Sequence, residues 1–205
     1  MTAFPYGNVY LGLLMMYHLG RDNRVDCELT WSPDTIRWER VEPGRPLIPL
    51  GPARSYDAGC IYAQAGPPLL DGERIALYYG GSEAVHRGWK RHCLLCRATL
   101  RKDGFAGLEP LAADQPARLT TRPLRWTGGA VCVNADFCGG SMRVALLDAA
   151  GTVLDESRPI AEDATDLALR WTSGRAWTAS RGTLLRLRFE WRAGRLYSFT
   201  GLELP

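Results

Sequence analysis

The 205-residue chain has no apolar run near the roughly 20 residues that a membrane-spanning helix requires. Its longest candidate, "VYLGLLMMY" at 9–17, is far too short, so no membrane partner is expected. No positively charged segment precedes that run, as an export signal would demand, and a cytoplasmic location is expected. A basic arm is also missing. The 25 Lys and Arg are mixed with 22 Asp and Glu along the chain, for a net charge of +3, which gives no electrostatic case for a nucleic-acid partner. Neither the GxSxG turn of serine hydrolases nor a Walker or GxGxxG phosphate loop occurs, and no cofactor is expected. Helical periodicity is scarce as well. Only "AEDATDLALR" competes for it, and the end of that stretch alternates like a strand.

Six cysteines are present, and "CLLC" at 93–96 has the spacing of a metal knuckle. Its setting, "RHCLLCRATL", reads as a strand, in which residues three apart point to opposite faces. A knuckle needs both thiolates on one turn and a second ligand pair nearby. No metal site is expected, and the cysteines read as free thiols filling the core.

What the chain does have is Gly (22) and Pro (13), spread throughout, which favours many short elements joined by turns. A weak duplication runs through the first half. "VYLGLLMMYH" (9–18) precedes "VDCELTWSPDTIRWERV" (25–41), and "RIALYYGG" (74–81) precedes "CLLCRATLRKDGFAGLE" (93–109). Each copy reads as an apolar strand, a loop, a second strand and a turn, "SPDT" or "KDG", before a short outer strand. The offset of about 65 residues suits consecutive blades of a β-propeller. In the second copy "AGCIYAQAG" (58–66) would be innermost and "FAGLEP" (105–110) outermost. The first copy has only "MTAFPYGN" before its second strand, so the chain is expected to begin inside a blade.

"LAADQPARLTTRP" (111–123) breaks this pattern and reads as a linker, dividing the chain into 1–112 and 113–205. Beyond it "LLRLRFEWR" (184–192) alternates strictly, with Leu185, Leu187, Phe189 and Trp191 on one face. "AVCVNAD" (130–136), "SMRVALLD" (141–148), "DLALRW" (166–171) and "RLYSFTGLEL" (195–204) add further short strands. Five or more such strands predict an antiparallel β-sandwich. The expected fold is therefore all-β: the last one to two blades of a propeller, then a sandwich. Of the seven tryptophans, Trp38 and Trp191 fit core positions, whereas Trp89, in the polar loop "HRGWKRH", is the exposed candidate for stacking on a ligand.

Several stretches together, "VYLGLLMMYH", "ELTWSPDTIRWERV" and "SYDAGCIYAQAGPPLLDGERIALYYGGSEAVH", resemble the last blades of a glycoside-hydrolase-like five-bladed propeller. The segment from "LTTRPLRWTGG" to "LLRLRFEWRAGRLYSF" resembles the β-sandwich that follows such propellers. That superfamily includes enzymes acting on fructans, arabinans and xylans, so the resemblance implies a carbohydrate as partner. In its catalytic members, carboxylates on innermost strands converge on a central funnel, one as acid and the other as nucleophile or base. Asp57, at the start of the complete innermost strand, stands where such a carboxylate belongs. Glu83 and His86, after "YYGGS", would reach the funnel mouth, with Arg54 and Tyr56 as charge partner and stacking face.

The resemblance implies a first catalytic carboxylate on an early blade, and this chain is expected to hold only the last blades. Two readings stay open: a fragment that binds or hydrolyses carbohydrate, and a non-catalytic carbohydrate-binding or interaction module. Asp57 is either a funnel carboxylate or a turn cap bonded to nearby backbone. A third arrangement, a homo-oligomer whose copies complete one ring, would place the site between copies.

Overall fold

A computed structural model describes residues 1–112, 115–174 and 180–205. Trp177 lies outside the described residues. The chain is all-β, with seventeen strands and no helix among the described residues. It divides into two compact units, Met1–Phe105 and Ala106–Pro205.

Unit 1 is one sheet. A hairpin joins β1 (Thr2–Tyr6) to β2 (Val9–Tyr17), and β2 pairs antiparallel with β3 (Val25–Ser32), which also carries the short β4 (Glu39–Arg40). The chain then returns as β5 (Cys60–Ala63), whose first residue pairs in parallel with Val25 of β3. β5 and β6 (Leu69–Asp71) share one side of β7 (Arg74–Ser82), and β8 (Cys93–Arg101) takes the other. The two copies of the sequence duplication are thus joined into one sheet by the β3–β5 contact.

This sheet curls into a half-barrel. β1 and β8 are far apart in strand order, yet the Tyr6 hydroxyl donates to Asp103 Oδ1 at 2.6 Å, just past β8. Phe105 packs edge-on to Tyr6, with centroids 4.9 Å apart, and beside Phe4. The concave face gathers Leu11, Leu13, Cys27, Leu29, Ile61, Ile75, Leu77 and Tyr79. Burying a side chain of that size contributes about 1.5–3 kcal/mol, which makes curling favourable.

"FAGLEP" is not an outer strand of this sheet. The Asp103-Gly104 turn ends β8, but Leu108 bridges to Leu196 of unit 2 instead of returning along β8. A two-residue turn signal specifies a reversal, not a partner. "MTAFPYGN" in contrast does supply a strand, β1, whose register with β2 closes on the Gly7-Asn8 turn.

Unit 2 has a six-stranded and a three-stranded antiparallel sheet. At the centre of the larger one lies β15 (Leu184–Arg192), paired along its length with β12 (Ser141–Asp148). β13 (Val153–Glu156) flanks β12. On its other side β15 meets β9 (Ala117–Thr120) and β10 (Leu124–Trp126), and β17 (Leu202–Glu203) follows β10. Part of the expected linker is therefore strand. The chain bends between β9 and β10, where the Thr121 hydroxyl accepts from the Leu187 N–H at 3.0 Å in place of a backbone carbonyl.

The smaller sheet places β11 (Cys132–Asp136) between β14 (Asp163–Ala168) and β16 (Arg195–Thr200). Val131, Val133, Ala135, Phe137 and Leu196 share one core with Val144, Leu146, Leu185, Leu187 and Phe189 of the larger sheet. Trp191 belongs to it as expected, whereas Trp38 is only half-buried in the loop after β3. Cys27, Cys60 and Cys96 are buried, but Cys93 and Cys138 are exposed, so core filling accounts for half of the six. Burial, reinforced by Asp26 and Glu28, pushes the Cys27 thiol up to about 12, which keeps it protonated and inert.

Candidate functional site

The strand registers of unit 1 bring three loops to one end of the sheet. Tyr17 lies opposite Val25, Val25 beside Cys60, Cys60 opposite Ser82, and Ser82 opposite Cys93. The segments leaving these residues, 18–24, 50–59 and 83–92, therefore share that end. Arg54, Tyr56 and Asp57 lie in the second of them, and Glu83, His86 and Trp89 in the third.

Asp57 lies three residues before β5, in a turn, and is only 7% exposed. Ser55 Oγ donates to its Oδ1 at 2.7 Å and the Tyr79 hydroxyl to its Oδ2 at 2.9 Å. Two glycines make room for it. A Cβ at Gly51 would run into Asp57 Oδ1 and Ser55 Oγ, and one at Gly81 would come within 2.9 Å of Asp57 Cβ and of Cys96 Sγ. Burial, together with the hydrogen bond to Asp57 and its charge, pushes the Tyr79 phenol above its ordinary value, so it stays a donor. Among the described residues no ion pair engages the Asp57 carboxylate.

Tyr56 is half exposed beside it. Arg54 is the third residue of the Pro52–Ser55 turn, closed by a 3.0 Å bond from the Ser55 N–H to the Pro52 carbonyl. Its φ of +75° is a left-handed value that costs a residue with a Cβ about 1 kcal/mol or more. Arg54 is exposed and, among the described residues, makes no ion pair with Asp57.

A second cluster is built on His86. Its N–H donates to the Asn23 carbonyl at 2.8 Å, tying loop 83–92 to loop 18–24. Its ring lies 4.8 Å from that of Tyr17, and Nδ1 shares a 3.0 Å hydrogen bond with the Tyr62 hydroxyl. Tyr17 in turn donates to Asn23 Oδ1 at 3.0 Å. Arg91 Nη1 donates to the Tyr62 oxygen at 2.9 Å and to the His86 carbonyl at 3.0 Å, with the guanidinium 6.0 Å from the Tyr62 ring centre. Burial and the neighbouring Cys60 push the Tyr62 phenol up to about 12. Trp89 projects from the same loop with its whole side chain in solvent.

Glu83 accepts from the His92 N–H at 3.2 Å and pairs with His92 Nδ1 at 3.1 Å. Backbone N–H bonds, its own and that of His92, hold its carboxyl below the ordinary value. At the same end His18 Nε2 meets Asp26 Oδ2 at 2.7 Å, joining the end of β2 to the start of β3. Among the described residues no group of three or more His, Cys, Asp or Glu is placed to hold a metal ion.

Tyr17, Asn23, Tyr62 and Arg91 did not stand out in the sequence. Tyr17 and Tyr62 read as ordinary strand aromatics, and 24 positions separate Tyr62 from its partner His86. Only the loop composition "HRGWKRH" marked the region. No family model, curated protein or solved structure matches the chain.

Proposed function

We propose that this chain binds carbohydrate at the loop end of unit 1. The reading takes unit 1 as the closing blades of a glycoside-hydrolase-like propeller and unit 2 as its following β-sandwich. The antiparallel order β5, β7, β8 and the core shared by the two sheets of unit 2 support that reading. One observation carries the functional proposal. Tyr17, Tyr62 and His86 form a ring cluster braced by Arg91, and the loop that carries His86 and Arg91 also carries a tryptophan that buries none of its indole. Exposing a whole indole forgoes a large burial gain, and rings beside fixed hydrogen-bonding groups suit sugar faces and hydroxyls.

Hydrolysis is the second reading, favoured by the buried, doubly oriented Asp57 beside the strained turn at Arg54. A glycoside-cleaving pair needs a second carboxylate about 5–9.5 Å away. That partner would come from early blades or from another copy completing the ring. The edge strand β8, with Leu94 and Leu95 exposed, is the surface a further copy would use.

Binding to soluble arabinan, xylan and fructan, measured by titration calorimetry and paired with reducing-sugar release, tests both readings. The binding reading expects affinity for at least one polymer, weakened about tenfold or more by Trp89→Ala with the melting temperature unchanged. Turnover abolished by Asp57→Asn with binding retained would establish hydrolysis. Absence of binding across a broad glycan panel would refute both.

A further inference from the structure

We infer that the carbohydrate bound at this end is a polyanion, bearing carboxylate or sulfate groups along its chain; this rests on the carbohydrate-binding reading above. The surplus of positive charge is local. Segments 18–24 and 83–92 hold Arg21, Arg24, Arg87, Lys90 and Arg91 against Asp22 and Glu83 alone. That excess of three equals the net +3 of the whole 205-residue chain. The His86–Asn23 backbone bond holds the two segments side by side, so the charges act as one patch.

Both acids are already occupied. Asp22 accepts from the Arg24 N–H at 3.1 Å, and Glu83 is engaged by His92. Arg91 is the pre-positioned member. Its Nη1 is fixed by Tyr62 and by the His86 carbonyl, while its Nε and Nη2 donate to nothing among the described residues. An oriented guanidinium edge with free N–H groups matches the paired oxygens of a carboxylate or sulfate. Trp89 stands between Arg87 and Lys90 in sequence and is fully exposed. A stacking ring flanked by cations fits a ligand that alternates a ring face with an anionic substituent, rather than a neutral glycan. Like charges gathered in one patch repel each other, and a bound polyanion relieves that repulsion.

The test measures affinity of the full chain for heparin, for polygalacturonate and for neutral arabinan and xylan, at about 50 and 200 mM salt. One or both anionic polymers should bind at least tenfold more tightly than either neutral one, with affinity falling steeply as salt rises. Heparin alone would identify sulfate as the recognised group, and polygalacturonate alone carboxylate. Arg91→Gln and the pair Arg87→Gln/Lys90→Gln should remove most of that preference. Arg143→Gln, on the surface of unit 2, should not. Equal, salt-insensitive binding to neutral and anionic glycans would overturn the polyanion inference and leave the carbohydrate reading intact. No binding to any of the four would overturn both. Single-stranded DNA of matched charge density, bound as tightly as the best polysaccharide, would reassign the patch to nucleic acid and refute the inference.

Discussion

The two units build their interiors differently. Among the described residues, unit 2 buries two polar side chains, Asn134 and Ser157, beneath its shared apolar core. Unit 1 buries Glu28, Thr30, Ser32, Asp57 and Ser82, and all three histidines of the chain lie in it. Glu28, Thr30 and Asp57 are answered by partners that the fold brings from a distance, whereas Ser32 and Ser82 bond within their own turns. Glu28 receives Arg40 Nε at 2.6 Å and Nη2 at 2.7 Å, plus the Gly44 N–H at 3.0 Å, which clamps the loop beyond β4 against β3. A carboxylate placed so costs desolvation, and the paired guanidinium offsets it only in that geometry. An apolar interior stabilises wherever the pattern of residues is right. A polar interior works only where partners converge, and in unit 1 such groups lie in the sheet whose end holds the candidate site.

The difference can be broken most severely in unit 2. Phe189, wholly buried in the shared core, should cost about 3–5 kcal/mol on replacement by Ala. Hydrogen exchange should show protection lost across β11, β12, β15 and β16. A loss below about 1 kcal/mol would mean that the two sheets do not share one core.

Next in size is the Glu28 clamp. Arg40→Met should lower the denaturation midpoint, and Glu28→Gln added to it should recover part of the loss, because the stranded charge is then gone. The pH response sharpens the point. The hydrogen bond from Arg40 holds the Glu28 carboxyl below its ordinary 4.5, so its stabilisation is fully present above that value. It drains away as pH falls from there through the depressed folded value. Wild type should therefore lose stability between pH 5 and 3 more steeply than the double variant. Parallel curves would remove Glu28 from the account.

The mildest perturbation is Gly81→Ala. Its methyl would press on Asp57 Cβ and Cys96 Sγ, an overpacking worth about 1–3 kcal/mol. Displacing Asp57 should also bring one tyrosine down towards its ordinary pKa, seen as an earlier step in the 295 nm absorbance titration. Loss of stability without that step would mean that Asp57 does not govern Tyr79.

Much of the fold was legible because strand alternation is a local property. "SMRVALLD" and "LLRLRFEWR" correspond to β12 and β15 residue for residue. The short strands β6, β9, β10 and β13 were not legible, having three or four residues each, too few for a period of two to show. "FAGLEP" misled because its apolar residues report that something is buried, not in which unit. At the site, exposure of Trp89 could be read from its polar neighbours. The seat of Asp57 could not, since it depends on Gly51, Ser55, Tyr79 and Gly81 meeting across two strands and a turn.

By itself, then, the sequence determined the all-β character, the position of most long strands and the basic, tryptophan-bearing composition of loop 83–92. Those follow from the side-chain period of two along an extended backbone and from local polarity. Tertiary structure alone decided that β3 and β5 join the two copies into one curled sheet. It also decided that Arg40 answers Glu28, that Tyr79 and Ser55 hold Asp57, and that His86 and Asn23 unite two loops into one positive patch. All of these except the Ser55–Asp57 bond are contacts between residues separated in sequence, and their energies depend on distance and desolvation set by the folded chain.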